Sequence, residues 1–271
     1  IDFGRITPSI EGTTLYDAAL DQYTLVGTGR DLWNANSSGG RILYAPLSGD
    51  GEVIAAVERP VQAGLGQWAR AGLGVFTELT EDSMSLMFMR VKEAASGTQA
   101  SGNTQRLIID ARDAKANAVT RRVEKANDPL YADTFLGMRI VRRGDDYYFY
   151  YTNSTTTTWT ELYKYTRAMG ETINLGAVGS RNSGSNNSTA PVISNAFRSV
   201  VIRESVQARP ISSKNQMEVR WVGDLPGFPT QAVTYTVQRS TARTGTFADL
   251  VTGVTSNVYV DTTIGKGNPY C

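Results

Sequence analysis

Short runs rich in β-branched and aromatic residues recur along this chain at spacings of roughly 8–15 residues, each bounded by Gly, Asn, Asp or Ser. Such runs lie at 23–26, 41–45, 52–57, 71–77, 83–91, 106–110, 139–142, 147–152, 158–163 and 197–203. No long segment keeps a 3.6-residue period, and residues 78–84 offer a helical turn at most. Strands this closely spaced, without helices between them, predict an antiparallel sandwich and not βαβ units. Alternation assigns faces. Val53, Ala55 and Val57 share one; Ala69, Ala71, Leu73 and Val75 share another, opposite Trp68, Arg70, Gly72, Gly74 and Phe76; Tyr147, Phe149 and Tyr151 stand opposite Tyr148 and Tyr150.

Composition changes near residue 204. Residues 205–213, which contain Pro210, read as a linker between a first domain at 1–204 and a second at 214–271. The second carries strand-like runs at 217–222, 233–239, 246–250 and 257–261, and another opening at Tyr270. That is fewer than the seven strands of a complete immunoglobulin-like sandwich, so further chain or a neighbouring subunit is expected to complete it.

Several chemistries are excluded or disfavoured. Histidine is absent, which removes Ser-His-Asp and Cys-His catalysis and the commonest transition-metal ligand. The single cysteine is Cys271, so no internal disulfide forms and no cysteine-based zinc site exists. With 27 Lys+Arg against 26 Asp+Glu, no basic excess calls for nucleic acid. No apolar run is long enough to insert into a membrane. The first residue is Ile1, and the chain is rich in Thr, Ser, Asn and Gly; together these point to a processed, secreted or cell-surface protein. Gly64–Ala69 matches Gly-x-Gly-x-x-Ala but precedes a strand, where the dinucleotide motif needs a helix. The carboxylates Glu78, Glu81 and Asp82 fall at a turn and read as a solvated one. Sequons stand at Asn36, Asn153, Asn186 and Asn187, all in predicted loops open to modification.

Taken in order, residues 23–57, Trp-Ala-Arg-Ala-Gly-Leu-Gly-Val-Phe at 68–76, Met-Phe-Met-Arg-Val at 87–91, the hairpin at 139–160 and Asn-Ala-Phe-Arg-Ser-Val-Val-Ile at 195–202 resemble a concanavalin A-like jelly-roll module. Modules of this kind accompany bacterial β-xylosidases and surface proteins. The resemblance covers about residues 10–203 and implies two packed antiparallel sheets, an accessory role in glycan binding or adhesion, and in some members bound calcium. Residues 235–271 resemble a fibronectin type III module that stops inside a strand. The expected fold is therefore all-β: a jelly-roll sandwich followed by an incomplete fibronectin III-like sandwich.

The catalytic carboxylate motif of jelly-roll glycosidases is missing, so no enzyme activity is expected. Trp68, Arg70, Tyr148 and Tyr150 would form an aromatic and hydrogen-bonding face for glycan if exposed, or an interface with protein. Asp50 and Glu52 are the candidate calcium ligands, since calcium needs several oxygens from separate segments. Three functions stay open: a glycan-binding or adhesive module of a larger protein; a structural subunit of a filament, surface layer or virion, polymerising through β-edges; and an accessory fragment of a glycoside hydrolase.

Overall fold

The computed structural model describes residues 1–4, 11–27, 29, 32–33, 38–60, 69–92, 105–126, 133–153, 158–180, 193–204, 207–211, 215–220, 234–241, 246–256 and 258–264. It is all-β, and it divides into two compact units, Ile1–Arg203 and Glu204–Cys271.

The first unit is a sandwich of two seven-stranded antiparallel sheets. One sheet runs β1 (Asp2–Gly4), β4 (Gly39–Ser48), β13 (Thr172–Ser180), β6 (Ala69–Phe76), β7 (Ser85–Lys92), β8 (Gln105–Arg112), β9 (Thr120–Ala126). The other runs β12 (Thr160–Thr166), β11 (Asp146–Thr152), β10 (Phe135–Arg143), β5 (Gly51–Glu58), β14 (Ile193–Glu204), β3 (Gln22–Gly27), β2 (Thr13–Asp17). The predicted alternation places the core. Val53, Ala55 and Val57 of β5, Ala71, Leu73 and Val75 of β6, and Tyr147, Phe149 and Tyr151 of β11 all face inward and pack together. The helical turn expected at 78–84 is instead a series of bends and turns. There Lys115 pairs with Glu78 and Thr80 hydrogen-bonds Asp82.

Neither side of β6 is exposed, because the first sheet has a second apolar layer on its outer side. Phe76, Met87, Met89, Ile108 and Val178 meet Phe3 and Leu32 there. Glycine is required in this layer at position 72. A Cβ on Gly72 would lie 2.0 Å from the Phe88 carbonyl oxygen of the adjacent strand.

The connections of the sandwich are unequal. Those following β2, β4, β6, β8, β10 and β12 leave one end and include the two-residue crossover 49–50, which carries the chain from the first sheet to the second, and the two-residue hairpin 144–145. Those following β3, β5, β7, β9, β11 and β13 meet at the other and include 28–38, 59–68, 93–104 and 181–192. The short-turn end is tied by a side chain: Asp50 accepts the Gly144 N–H at 2.6 Å, linking the β4–β5 crossover to the β10–β11 hairpin.

Along one flank the two sheets are clasped. Asp113, between β8 and β9, accepts hydrogen bonds from Tyr165 of β12 and from Arg122, whose guanidinium lies 5.2 Å from the Tyr165 ring. Burial alone would push the Asp113 carboxyl up; the Tyr165 and Arg122 hydrogen bonds outweigh it and hold the carboxyl below its ordinary value of 3.8. A depressed folded pKa contributes stability above the unfolded value and loses it as pH falls through the folded one. The melting-temperature gap between the native protein and Asp113→Asn should therefore be full at neutral pH and shrink as pH is taken below 3.8. A gap that stays constant from pH 7 to pH 2 would count against the clasp.

In the second unit, β15 (Gln207–Ile211), β16 (Gln216–Arg220) and β19 (Val258–Asp261) form one sheet, and β17 (Tyr235–Arg239) pairs with β18 (Ala248–Val254). The stretch expected as a linker at 205–213 thus contains a strand of this unit. Pro210 is opposite Met217 on an edge strand, where a missing N–H is tolerated. Arg239 joins the two sheets, donating to Asp261 at 2.7 Å and to Thr263 at 2.9 Å. Val237 is the only buried apolar side chain among the described residues of the unit.

Candidate functional site

The four residues expected on one glycan-binding face do not share a face. Arg70 belongs to β6 in the first sheet, and Tyr148 and Tyr150 belong to β11 in the second. Trp68 lies outside the described residues. Alternation within a strand gives a side chain's side, but only strand pairing gives its sheet.

Arg70 is 2% exposed on the outer side of the first sheet, so it is not a surface group. It donates to Asp110 at 2.9 Å, and Arg121 of β9 reaches the other carboxylate oxygen at 2.8 Å. Both guanidiniums lie against the half-exposed Trp33 ring, at 5.9 and 5.0 Å from its centroid. A wholly buried carboxylate is tolerated here because two cations and their N–H groups compensate its desolvation.

The outer face of the second sheet carries a different arrangement, built by the register of four neighbouring strands. One row runs Glu52, Val141, Tyr148, Lys164 across β5, β10, β11 and β12; the next runs Ile54, Arg139, Tyr150, Glu161. A bulge between Phe149 and Tyr150 shifts β12, which brings Glu161 opposite Tyr150. Tyr148 and Tyr150 are two residues apart on one strand face, both half-buried, with rings to the outside. Ile54 and Val141 are buried among them.

Cations hold these rings. Arg139 lies 5.7 Å from the Tyr150 ring and 5.9 Å from the half-buried Trp159 ring. Tyr148 has Arg143 at 5.6 Å and Lys164 at 5.4 Å. Such contacts stabilise by about 0.5–1 kcal/mol at exposed sites. Beneath them, the buried Glu52 accepts from Arg139 Nε at 2.6 Å and from Arg203 Nε at 2.5 Å. Asp146 is paired with Lys164 at 2.7 Å and accepts from Thr166 at 2.5 Å. The Lys164 hydrogen bond is the main reason its carboxyl sits below the ordinary value. Burial, and then Glu161, raise the Tyr150 hydroxyl pKa.

Asp50 and Glu52, the expected calcium ligands, do not converge on an open cage. Asp50 is turned to the Gly144 N–H and both Glu52 oxygens face guanidiniums. Among the described residues no group of three or more His, Cys, Asp and Glu side chains could hold a metal ion. The sequon residue Asn153 is buried, which closes it to the modification its loop position promised. Asn36, Asn186 and Asn187 lie outside the described residues.

Sequence reasoning missed Arg139, Arg143 and Trp33. For the first two a signal existed: Arg139, Val141 and Arg143 alternate on β10, so all three share the outer side. Their place beside Tyr148 and Tyr150 follows only from the β10–β11 register.

No family model matches the chain, and no curated protein matches it. Among solved structures, a functionally unknown protein from Saccharomyces cerevisiae is similar at a TM-score of 0.51 and 11% identity, over 71% of this chain and 96% of that one. It shares the fold of the sandwich. A xylan β-1,4-xylosidase from Bacillus halodurans C-125 gives 0.45 and 14%, over 65% of this chain and 32% of the enzyme. The legume lectin-like domain from Entamoeba histolytica gives 0.39 and 10%, over 75% and 89%. This chain therefore spans about a third of the xylosidase.

Proposed function

We propose that the first unit is a non-catalytic carbohydrate-binding module of a secreted or cell-surface protein, and that it takes glycan on the outer face of β10–β12. The second unit is then a fibronectin III-like spacer. One observation carries the reading: Tyr148 and Tyr150 of β11, and Trp159 just before β12, are half-buried beside one another, each braced by a cation. Sugars offer apolar ring faces to such rings and hydroxyls to the guanidiniums between them. A site built on strands also needs little reordering to bind. The pairing of the carboxylates supports the non-catalytic part. Glu52 is spent on Arg139 and Arg203, and Asp146 on Lys164 and Thr166, which leaves neither placed as the acid of a glycoside hydrolysis.

Titration of the protein with a panel of oligosaccharides tests this. Tyr150→Ala and Trp159→Ala should each weaken binding about tenfold, equivalent to ~1.4 kcal/mol, with the thermal unfolding of the first unit nearly unchanged. Unaltered affinity in both variants would move the ligand off this face.

A second reading, assembly through β-edges, has its own observation. Among the described residues β2 ends the second sheet with no further strand beyond it, and Leu15, Tyr16 and Leu20 at that edge are exposed by 58, 54 and 50%. Exposed apolar groups along a free strand edge favour pairing with another chain. Sedimentation that gives a 29.5 kDa particle at high concentration, unchanged in Leu15→Lys, would remove this reading.

A further inference from the structure

Resting on the reading of β10–β12 as a glycan platform, we infer that its ligand is an acidic glycan whose sugar carboxylates are received by Arg143. The inference starts from which groups of the platform are already satisfied. Glu52 is held between Arg139 and Arg203, and Asp146 is held by Lys164 and Thr166. Glu161 faces Tyr150, whose hydroxyl hydrogen-bonds to it. The anionic oxygens of the face are thus matched internally and offer little to a sugar hydroxyl.

Arg143 differs. It is exposed, at the turn end of β10, and its guanidinium lies over the Tyr148 ring at 5.6 Å from the centroid, without an ion pair to any carboxylate among the described residues. In register it stands opposite Asp146, yet that carboxylate is bonded on the far side, from β12. An exposed guanidinium with no carboxylate partner has N–H donors to offer, and their fork geometry matches a carboxylate bidentately. A sugar ring laid on Tyr148 would place an equatorial substituent toward Arg143 on one side or Lys164 on the other. The excess on this face is of donors, so the complementary ligand supplies acceptors, and a uronic acid supplies both a charged acceptor and an apolar ring face. The contact with Tyr148 also lowers the entropic cost of fixing the arginine.

The test pairs polymers that differ in one group. Oligosaccharides of polygalacturonate and of polyglucuronate are titrated beside their carboxyl-reduced counterparts, with neutral β-glucan and β-xylan oligosaccharides and dextran sulfate as controls. The native protein should bind at least one uronate at least tenfold more tightly than its reduced form. Arg143→Gln should abolish that factor, weakening the intact uronate at least tenfold more than the reduced form, and Arg143→Lys should recover only part of it. Equal affinity for intact and reduced chains would overturn the carboxylate inference and leave the platform standing. Equal or tighter binding of dextran sulfate, abolished by salt, would also overturn it, as general attraction of polyanions. Binding of no glycan, neutral or acidic, would overturn both readings.

Discussion

Phe149→Ala should destabilise the first unit by about 3–5 kcal/mol, the usual cost of deleting a fully buried aromatic side chain. Phe149 has no exposed surface, and its ring meets Phe88 of the opposite sheet edge-to-face at 5.8 Å. It therefore joins β11 to β7 across the sandwich, and truncation opens a void that neither sheet can close by moving alone. Its strand neighbours Tyr147 and Tyr151 already fill their own space in the same core. Urea unfolding followed by near-ultraviolet circular dichroism measures the change; the transition of the first unit should move to lower denaturant at unchanged slope. Tyr150→Ala is the internal control, one residue away on the outer face, and should cost much less. Similar costs for the two would mean that β11 does not separate core from surface as described.

Arg90→Met should be as damaging, for a different reason. Arg90 sits on β7 with 1% of its surface exposed, and it donates to the carbonyls of Val57 at 2.7 Å, Thr134 at 3.1 Å and Asp133 at 2.6 Å. Those carbonyls lie at the end of β5 and just before β10, in the facing sheet. One guanidinium thus serves three acceptors at a rim of the sandwich, of which the Thr134 carbonyl also accepts the Arg59 N–H at 2.8 Å. Methionine preserves much of the volume but leaves them without that donor, at a cost of about 3–5 kcal/mol. Arg90→Lys keeps the charge and lacks the planar fork, so it should recover only part. The check is the same denaturation series combined with amide exchange at Phe135 and Leu136. Native-like protection in Arg90→Met would show that the carbonyls are satisfied without the arginine.

The readable part of this chain was the part governed by alternation. β5 and β11 place Val53 and Phe149 inward and Tyr148 and Tyr150 outward, as their period of two requires. Strands that hide this period escaped notice. β13 is buried on both faces over most of its length and interrupted by Gly176 and Gly179. β9 is an edge strand whose charges pair along the sheet, as Arg121 does with Glu124. β15 contains a proline. The misplacement of Arg70 has the same root. Polar residues on an alternating strand read as exposed, yet the first sheet buries both sides, and the arginine is admitted by Asp110 on β8. Asp50 and Glu52 looked like free oxygen donors because their partners, Gly144, Arg139 and Arg203, are distant in sequence and near only in space.

The unequal ends of the sandwich divide where sequence is free to drift. At one pole, the hairpin at 144–145 fixes the register of β10 against β11, and the crossover at 49–50 passes between the sheets in two residues, so inserting one residue at 144–145 would turn inward-facing side chains outward. At the opposite pole the joins are long, and loop closure grows costly only slowly with length. Lineages built on this frame can lengthen, shorten or exchange those joins while the sheets stay in register. That pole is also where a designer would graft a foreign peptide, since the register of the strands that carry Tyr148, Tyr150 and Arg139 is set at the other.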